Sequence, residues 1–435
     1  MISALQNIFR IPDLKKRVFY TLAMLAVYRV GCHIPTPGID SAALAHFFEQ
    51  ARGTLLGMFD MFSGGALEKL TVFALGIMPY ISSSIIFQLL TVVIPSIEKL
   101  SKEGESGRKK ITQYTRYGTI VLSVVQALGI SIGLESMTGP AGELVVPSPG
   151  WGFRIMTVIT LTAGTAFIMW MGEQMSEKGI GNGISLIIFA GIVARIPVAL
   201  INSYRLTAHG ELPLFVLIFA TVLMLAVVAG IVFVERGQRR LPIHYAKRVV
   251  GLKSYGAQTS HLPLKVNMAG VIPPIFASSI IMFPATIANF IDIPMVKNIA
   301  QSFSPGNWVY ELFYVAFIVF FCYFYTAVTF NPADVAENIK KHGGYIPGIR
   351  PGKETSEYLD RVLTKLTFAG AIYISIVCVL PSILISNLKL PFYFGGTALL
   401  IAVGVGMDTV SQIESHLITR NYEGFMKGVR IKGRR

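Results

Sequence analysis

Residues 179–183 read Gly-Ile-Gly-Asn-Gly, a glycine spacing that could cradle a phosphate on backbone amides. Such a loop needs a strand before it and an acidic residue placed for a ribose. Here the glycines follow a long apolar run and no such acid is placed, so they read as a turn and cap ahead of the next helix. The three cysteines, Cys32, Cys322 and Cys378, sit in or near apolar runs with no metal or disulfide spacing. They read as small core residues. His-Glu-x-x-His and the Walker glycine loop are missing from the sequence, and the one Gly-x-Ser-x-Gly match, Gly129-Ile130-Ser131-Ile132-Gly133, lies inside an apolar run rather than at a strand-to-helix turn. No catalytic constellation, cofactor or metal is expected, so energy for any work comes from a partner.

The elements that carry these residues are apolar. Of 435 residues, 53% are hydrophobic and 14% charged, and the mean hydropathy is +0.59. A soluble chain carries about 25% charged residues. Apolar runs near 18–34, 71–94, 117–134, 155–171, 184–203, 214–234, 268–291, 309–330, 367–385 and 394–412 approach or exceed the ~20 residues that cross a bilayer as helix. The first follows Lys15-Lys16-Arg17 without a small-residue cleavage site and reads as a retained span. The expected fold is an all-α polytopic membrane protein with ten spans.

Of the 38 Lys and Arg, 30 fall in one alternating set of connecting segments and 8 in the other. The rich set is expected in the cytoplasm, with both termini. That asymmetry accounts for the net charge of +14 without nucleic acid. Segments 235–267 and 331–366 are long, basic and expected inside; segment 35–70 is expected outside and ends in Ser63-Gly64-Gly65.

The spans are poor in ionisable groups. Arg195 lies in span five, Asp408 in span ten and Arg29 near the outer end of span one. Arg29 reads as snorkelling outward; Arg195 suits either a wet vestibule or helix packing. Ion-coupled transporters bury Asp, Glu or His for the coupling ion. The rival reading, a secondary transporter for a small solute, therefore lacks its polar site, and a passive conduit is favoured.

GIMPYISSSIIF at 76–87 in span two matches GVIPPIFASSII at 270–281 in span seven, with Pro79 on Pro274 and Ser83-Ser84-Ile85-Ile86 on Ser278-Ser279-Ile280-Ile281. Five spans separate the copies, so the second crosses in the opposite sense. Two inverted five-helix halves around a central path are expected, 1–203 and 204–412, followed by a basic tail, 413–435. The prolines are expected to kink their helices, and the serines to allow close helix approach.

Seven ordered stretches closely resemble the bacterial SecY family, the central subunit of the Sec protein-conducting channel: GIMPYISSSIIFQLL (76–90), KEGESGRKKITQYTRYGT (102–119), GEQMSEKGIGNGISLIIFAGIV (172–193), FVERGQRR (233–240), HLPLKVNMAGVIPPIFASSII (261–281), FYTAVTFNPADVAENIKKHGGYIPGIRPG (324–352) and PFYFGGTALLI (391–401). The resemblance runs from about residue 10 to 425 with no missing block.

It implies a bacterial inner-membrane channel clasped by SecE, with SecG at its side. Unfolded secretory chains would cross it, and apolar helices would leave sideways into the lipid bilayer. The pore ring falls on Ile77, Ile81, Ile184, Ile188, Ile275 and Ile401. The lateral gate, where signal sequences and nascent chains would bind, falls on Ser83, Ser84, Ile85 and Ile86, on Gln126, and on Ser278, Ser279 and Ile280. A plug helix falls within 54–66, with Leu55, Leu56, Met58, Phe59, Met61 and Phe62 before Ser63, Gly64 and Gly65. Arg236, Arg239, Arg240, Lys247, Arg248 and Lys253 in one basic loop, and Lys340, Lys341, Arg350 and Lys353 in the other, would dock the ribosome or the SecA motor; other insertion factors could join. The residues support part of this by themselves. Ile77 and Ile81 are four apart, as are Ile184 and Ile188, so each pair shares a helix face. A narrow aliphatic collar offers water and ions no hydrogen bonds and can seal by dewetting.

Overall fold

A helix occupies at least part of each of the ten apolar runs in the computed structural model, which describes residues 11–40, 44, 60, 63–136, 145–210, 213–245, 248–250, 253–255, 259–288, 307–388 and 396–428. In chain order the helices are α1 (Pro12–Gly31), α2 (Met78–Val93), its bent continuation α3 (Pro95–Lys102), α4 (Glu105–Ser136), α5 (Trp151–Lys178), α6 (Gly183–Val193) and α7 (Ile196–Ala208), which share one run, α8 (Leu214–Glu235), α9 (Ile272–Ala288), α10 (Trp308–Thr329), α11 (Pro332–Lys341), α12 (Lys353–Leu388) and α13 (Gly396–Gly428). Among the described residues seven helices are long and apolar enough to cross a bilayer, with α6–α7 and α10–α11 each counted once; α2 and α3 make an eighth if their 100° bend is taken as one span. The α8 span has a mean hydropathy of 3.0 yet is only 11% buried by the chain. Such a surface needs lipid around it, where a helix satisfies its own backbone groups. The chain is a multi-pass membrane protein.

The packing repeats with a shift of five spans. α2 packs on α4 as α9 packs on α10; α4 packs on α5 as α10 packs on α12; α5 packs on α6 as α12 packs on α13. α1 touches α5 and α6 as α8 touches α12 and α13. Five crossings reverse direction, so the fold is two inverted five-helix halves. The halves meet where equivalent helices pack on each other, α2 on α9 and α6 on α13.

The repeated prolines do not kink their helices. Pro79 lies in the first turn of α2, and Pro273 and Pro274 in the first turn of α9. First-turn amides have no partner within the helix, so proline removes nothing there. In each copy a glycine in the left-handed region precedes the first proline by three residues: Gly76 at φ 57° and Gly270 at φ 63°. Residues 71–77, expected as span, are a β-bridge from Thr71 to Pro35 followed by turns that run to Ile77. α2 is left with 16 residues, about 24 Å of helix. In the fifth run Pro197 restarts the helix, and Arg195 stands at the break as N-cap of α7.

The two basic segments, expected as loops, fold together. β1 (Gln238–Tyr245) pairs antiparallel with β4 (Thr259–Lys265), in register from Gln238 opposite Lys265 to His244 opposite Thr259. β2 (Arg248–Val250) and β3 (Lys253–Tyr255) pair between them, and β5 (Gly344–Tyr345) joins the free edge of β1. Leu241 and Leu264 from the hairpin bury against Ile346, Leu359 and Leu363, giving this unit its own apolar core on the first turns of α12.

Candidate functional site

The six ring isoleucines come from the starts of α2, α6 and α9 and from α13, the four helices at which the halves meet. Ile77, Ile81, Ile188, Ile275 and Ile401 are buried in one apolar cluster, with Ile184 packed against it. Ile77 precedes α2, and its carbonyl accepts from the Ile81 amide at 3.1 Å, which stacks the two side chains one turn apart. Ile184 and Ile188 repeat the arrangement on α6. That helix is capped by Asn182, whose Oδ1 accepts from the Ile184 and Ser185 amides at 3.1 and 3.3 Å. The Gly-Ile-Gly-Asn-Gly stretch is therefore the cap and turn its sequence suggested. It also bridges the halves, because the Gly181 amide donates to Gln412 Oε1 of α13 at 2.9 Å.

The gate candidates divide by partner. Ser83 is buried and donates to the Thr115 carbonyl at 2.8 Å, holding α2 to α4. Gly118 permits this: a Cβ there would stand 2.5 Å from Ser83 Oγ. Ser278 and Ser279 both donate back to the Ile275 carbonyl within α9, at 2.9 and 2.7 Å. Ile85 is buried in the central cluster, and Ile280 packs against it. Ser84 and Gln126 are half-buried, and Gln126 Oε1 is shielded with no hydrogen-bond partner among the described residues. Ile86 is exposed on the outside of the bundle.

Of the plug candidates, Leu55, Leu56, Met58, Phe59, Met61 and Phe62 lie outside the described residues. Ser63, Gly64 and Gly65 are held by three side chains. Tyr28 donates to the Ser63 carbonyl at 3.2 Å, and Arg29 Nη1 donates to the Gly64 carbonyl at 2.9 Å. Arg29 thus turns into the protein rather than snorkelling. Arg195 pairs with Asp60 and stands 3.5 Å from Glu68. Asp60 is buried; its Oδ1 accepts from the Glu68 amide at 2.8 Å, and its carbonyl accepts from Ser63 Oγ at 3.0 Å. Gly64 presses on α6, where an added Cβ would come within 2.8 Å of the Gly191 Cα.

Arg236, Arg239, Arg240, Arg350 and Lys353 are exposed on the folded basic unit. Arg248 and Lys253 lie on β2 and β3, with side chains outside the described set, and Lys247 lies outside the described residues. Asp408, counted among the ionisable groups of span ten, is exposed and stands 4.0 Å from Lys265 of β4. The three cysteines are buried and form no disulfide, and no metal-binding cluster occurs among the described residues.

The sequence profile of the SecY family matches residues 71–410. The chain belongs to the SecY family. Its match to the protein translocase subunit SecY of Pseudomonas aeruginosa is 52% identical over 436 residues, covering 99% of this chain and 97% of that one. The SecY-like fold also matches a solved structure described as a protein conducting channel, with a TM-score of 0.68 at 19% identity over 93% of each chain. Sec61 in a canine ribosome-channel complex from the endoplasmic reticulum matches with a TM-score of 0.65 at 18% identity over 93% of each. In this SecY-family chain, sequence reasoning missed Tyr28, Asp60 and Glu68 as partners of the 63–65 segment. One signal was legible: two span arginines, Arg29 and Arg195, lie near a connecting segment that carries carboxylates.

Proposed function

We propose that this chain is the central subunit of a Sec translocon in the bacterial inner membrane, with both termini in the cytoplasm. It passes unfolded secretory chains between its two halves and releases apolar helices sideways into lipid. The reading rests on one observation: six isoleucines from four symmetry-related helices, the helices on which the halves meet, belong to one apolar cluster. An aliphatic constriction gives ions nothing to bind and holds no sequence-specific bond to a passing chain. In this reading Ile77, Ile81, Ile184, Ile188, Ile275 and Ile401 seal the throat, and the segment around 54–66 plugs it. The protein performs no covalent chemistry.

The remaining roles follow from position. The α2–α9 contact, with Ser83, Ser84, Ile85, Ile86, Gln126, Ser278, Ser279 and Ile280 around it, is the seam that opens to a signal sequence. SecE clasps the halves, with SecG beside them. The exposed cations of the basic unit, Arg350 foremost, receive the SecA motor or the ribosome, and their assembly on one small fold supports a single docking face. A photoreactive residue at position 81 or 275 tests the reading in reconstituted membranes. An arrested secretory precursor is expected to crosslink at both positions; crosslinks to small solutes alone would favour a transporter.

A further inference from the structure

A cavity of about 390 Å³ opens where the basic unit meets α12, lined by Arg239 of β1 and by Tyr358, Arg361, Val362, Lys365 and Leu366 of α12. Its floor is apolar, and three cations stand at its rim. Elsewhere on the charged surface Lys102, Lys109, Lys341 and Lys353 each face a carboxylate four residues away. Arg239, Arg361 and Lys365 make no ion pair among the described residues. Arg361 Nε makes a long contact, 3.4 Å, to the Glu357 carbonyl, which leaves its other nitrogens free to donate. Three like charges held around one opening repel one another, and an anion between them relieves that repulsion.

The same helix face says what kind of anion. Arg361, Lys365, Phe368, Ile372 and Ile376 follow one another at steps of three or four residues, so they form one stripe along α12. Phe368, Ile372 and Ile376 are all exposed. Lys365 to Ile376 spans about 16 Å of helix, close to half of the ~30 Å hydrocarbon thickness. The stripe thus runs from a cationic cavity down the depth of one leaflet.

We propose that this cavity binds the headgroup of an anionic phospholipid, with an acyl chain laid along Phe368, Ile372 and Ile376. The guanidinium groups of Arg239 and Arg361 suit a phosphate, which they can hold through paired donors. A zwitterionic headgroup brings its own cation and is disfavoured by three positive neighbours. A bare phosphate or a nucleic-acid backbone would use the cations but leave the stripe without a purpose. Basic pockets at the ends of membrane helices are a recurring way to recognise such lipids.

The test is native mass spectrometry of the full chain in detergent, titrated with phosphatidylglycerol or phosphatidylcholine. Phosphatidylglycerol is expected to bind at least about tenfold more tightly, a difference of ~1.4 kcal/mol. Arg361→Gln with Lys365→Gln is expected to abolish that preference, while Lys102→Gln with Lys109→Gln removes the same charge elsewhere and keeps it. All four side chains are exposed, so an unchanged melting temperature verifies the fold of each variant. Ile372→Ser is expected to weaken phosphatidylglycerol binding as well. Equal binding of the two lipids, or native-like selectivity in the Arg361/Lys365 variant, would overturn the proposal. So would displacement of the lipid by inorganic phosphate or by an RNA oligonucleotide, which would mark a site for phosphate without a tail.

Discussion

Arg29 Nη1 donates to the carbonyl of Gly64 across 2.9 Å, joining the end of the first helix to a residue 35 positions later. Tyr28 does the same to Ser63, and Arg195 holds Asp60 from the break in the fifth span. The segment proposed as plug is thus fastened on its C-terminal side by two side-chain hydrogen bonds to its backbone carbonyls and a partly buried ion pair. Displacing it breaks all three together.

Arg195→Ala is expected to free that segment. The Asp60 side chain is 4% exposed, and a carboxylate left there without its cation costs on the order of 3 kcal/mol. Resting ion conductance in planar bilayers should rise and the melting temperature should fall. Adding Asp60→Asn should restore much of the stability, because the stranded charge is gone. Additive losses in the double variant would show that the two side chains are not coupled.

Two glycines in the left-handed region separate strain from contact. Gly104 has φ 80° and open space around it, so Gly104→Ala should cost only the backbone term, about 1–2 kcal/mol. Gly64 has φ 70° and also presses on Gly191, so Gly64→Ala adds an overpacking cost of about 1–3 kcal/mol. Thermal unfolding of both variants should rank them in that order, and conductance should rise only for Gly64→Ala.

Replacing Ile77 and Ile81 by serine puts two hydroxyls into the central cluster. If these residues seal the throat, resting conductance should rise at least severalfold, because a polar wall can hold water where an aliphatic one sheds it. Conductance equal to the parent, in protein that still folds, would remove them from the ring. The same pair of changes on the lipid-facing Ile155 and Ile159 of α5 should leave conductance unaltered.

Arg350 is exposed, and its carbonyl accepts from Thr355 Oγ1 at 2.8 Å, a bond that needs no arginine side chain. Arg350→Glu should leave the melting temperature within about 0.5 kcal/mol of the parent in stability. Transport driven by SecA or by a ribosome should drop. Normal transport would free Arg350 from the docking role.

The ten spans and the inverted halves were legible because their signals are local: apolar length, the side on which Lys and Arg collect, and one motif repeated five spans on. The repeat was read correctly, but its prolines were not. A proline in an apolar run looks interior until the left-handed Gly76 and Gly270 show where each helix begins. The basic segments looked like loops because their strands are short and mostly exposed, with a buried residue only at positions such as Leu241 and Ile243. That they share one core with α12 is a contact across about a hundred residues.

By itself the sequence determined that this chain lives in a bilayer, how often it crosses and that its halves are related, because transfer of apolar side chains from water to lipid depends on composition and order alone. Tertiary structure decided which isoleucines meet, that Arg29 and Arg195 turn inward, and that three cations with no ion pair among the described residues ring a cavity on α12. Those outcomes depend on distances between residues far apart in the chain, and in a low-dielectric interior a charge settles wherever its partner lies.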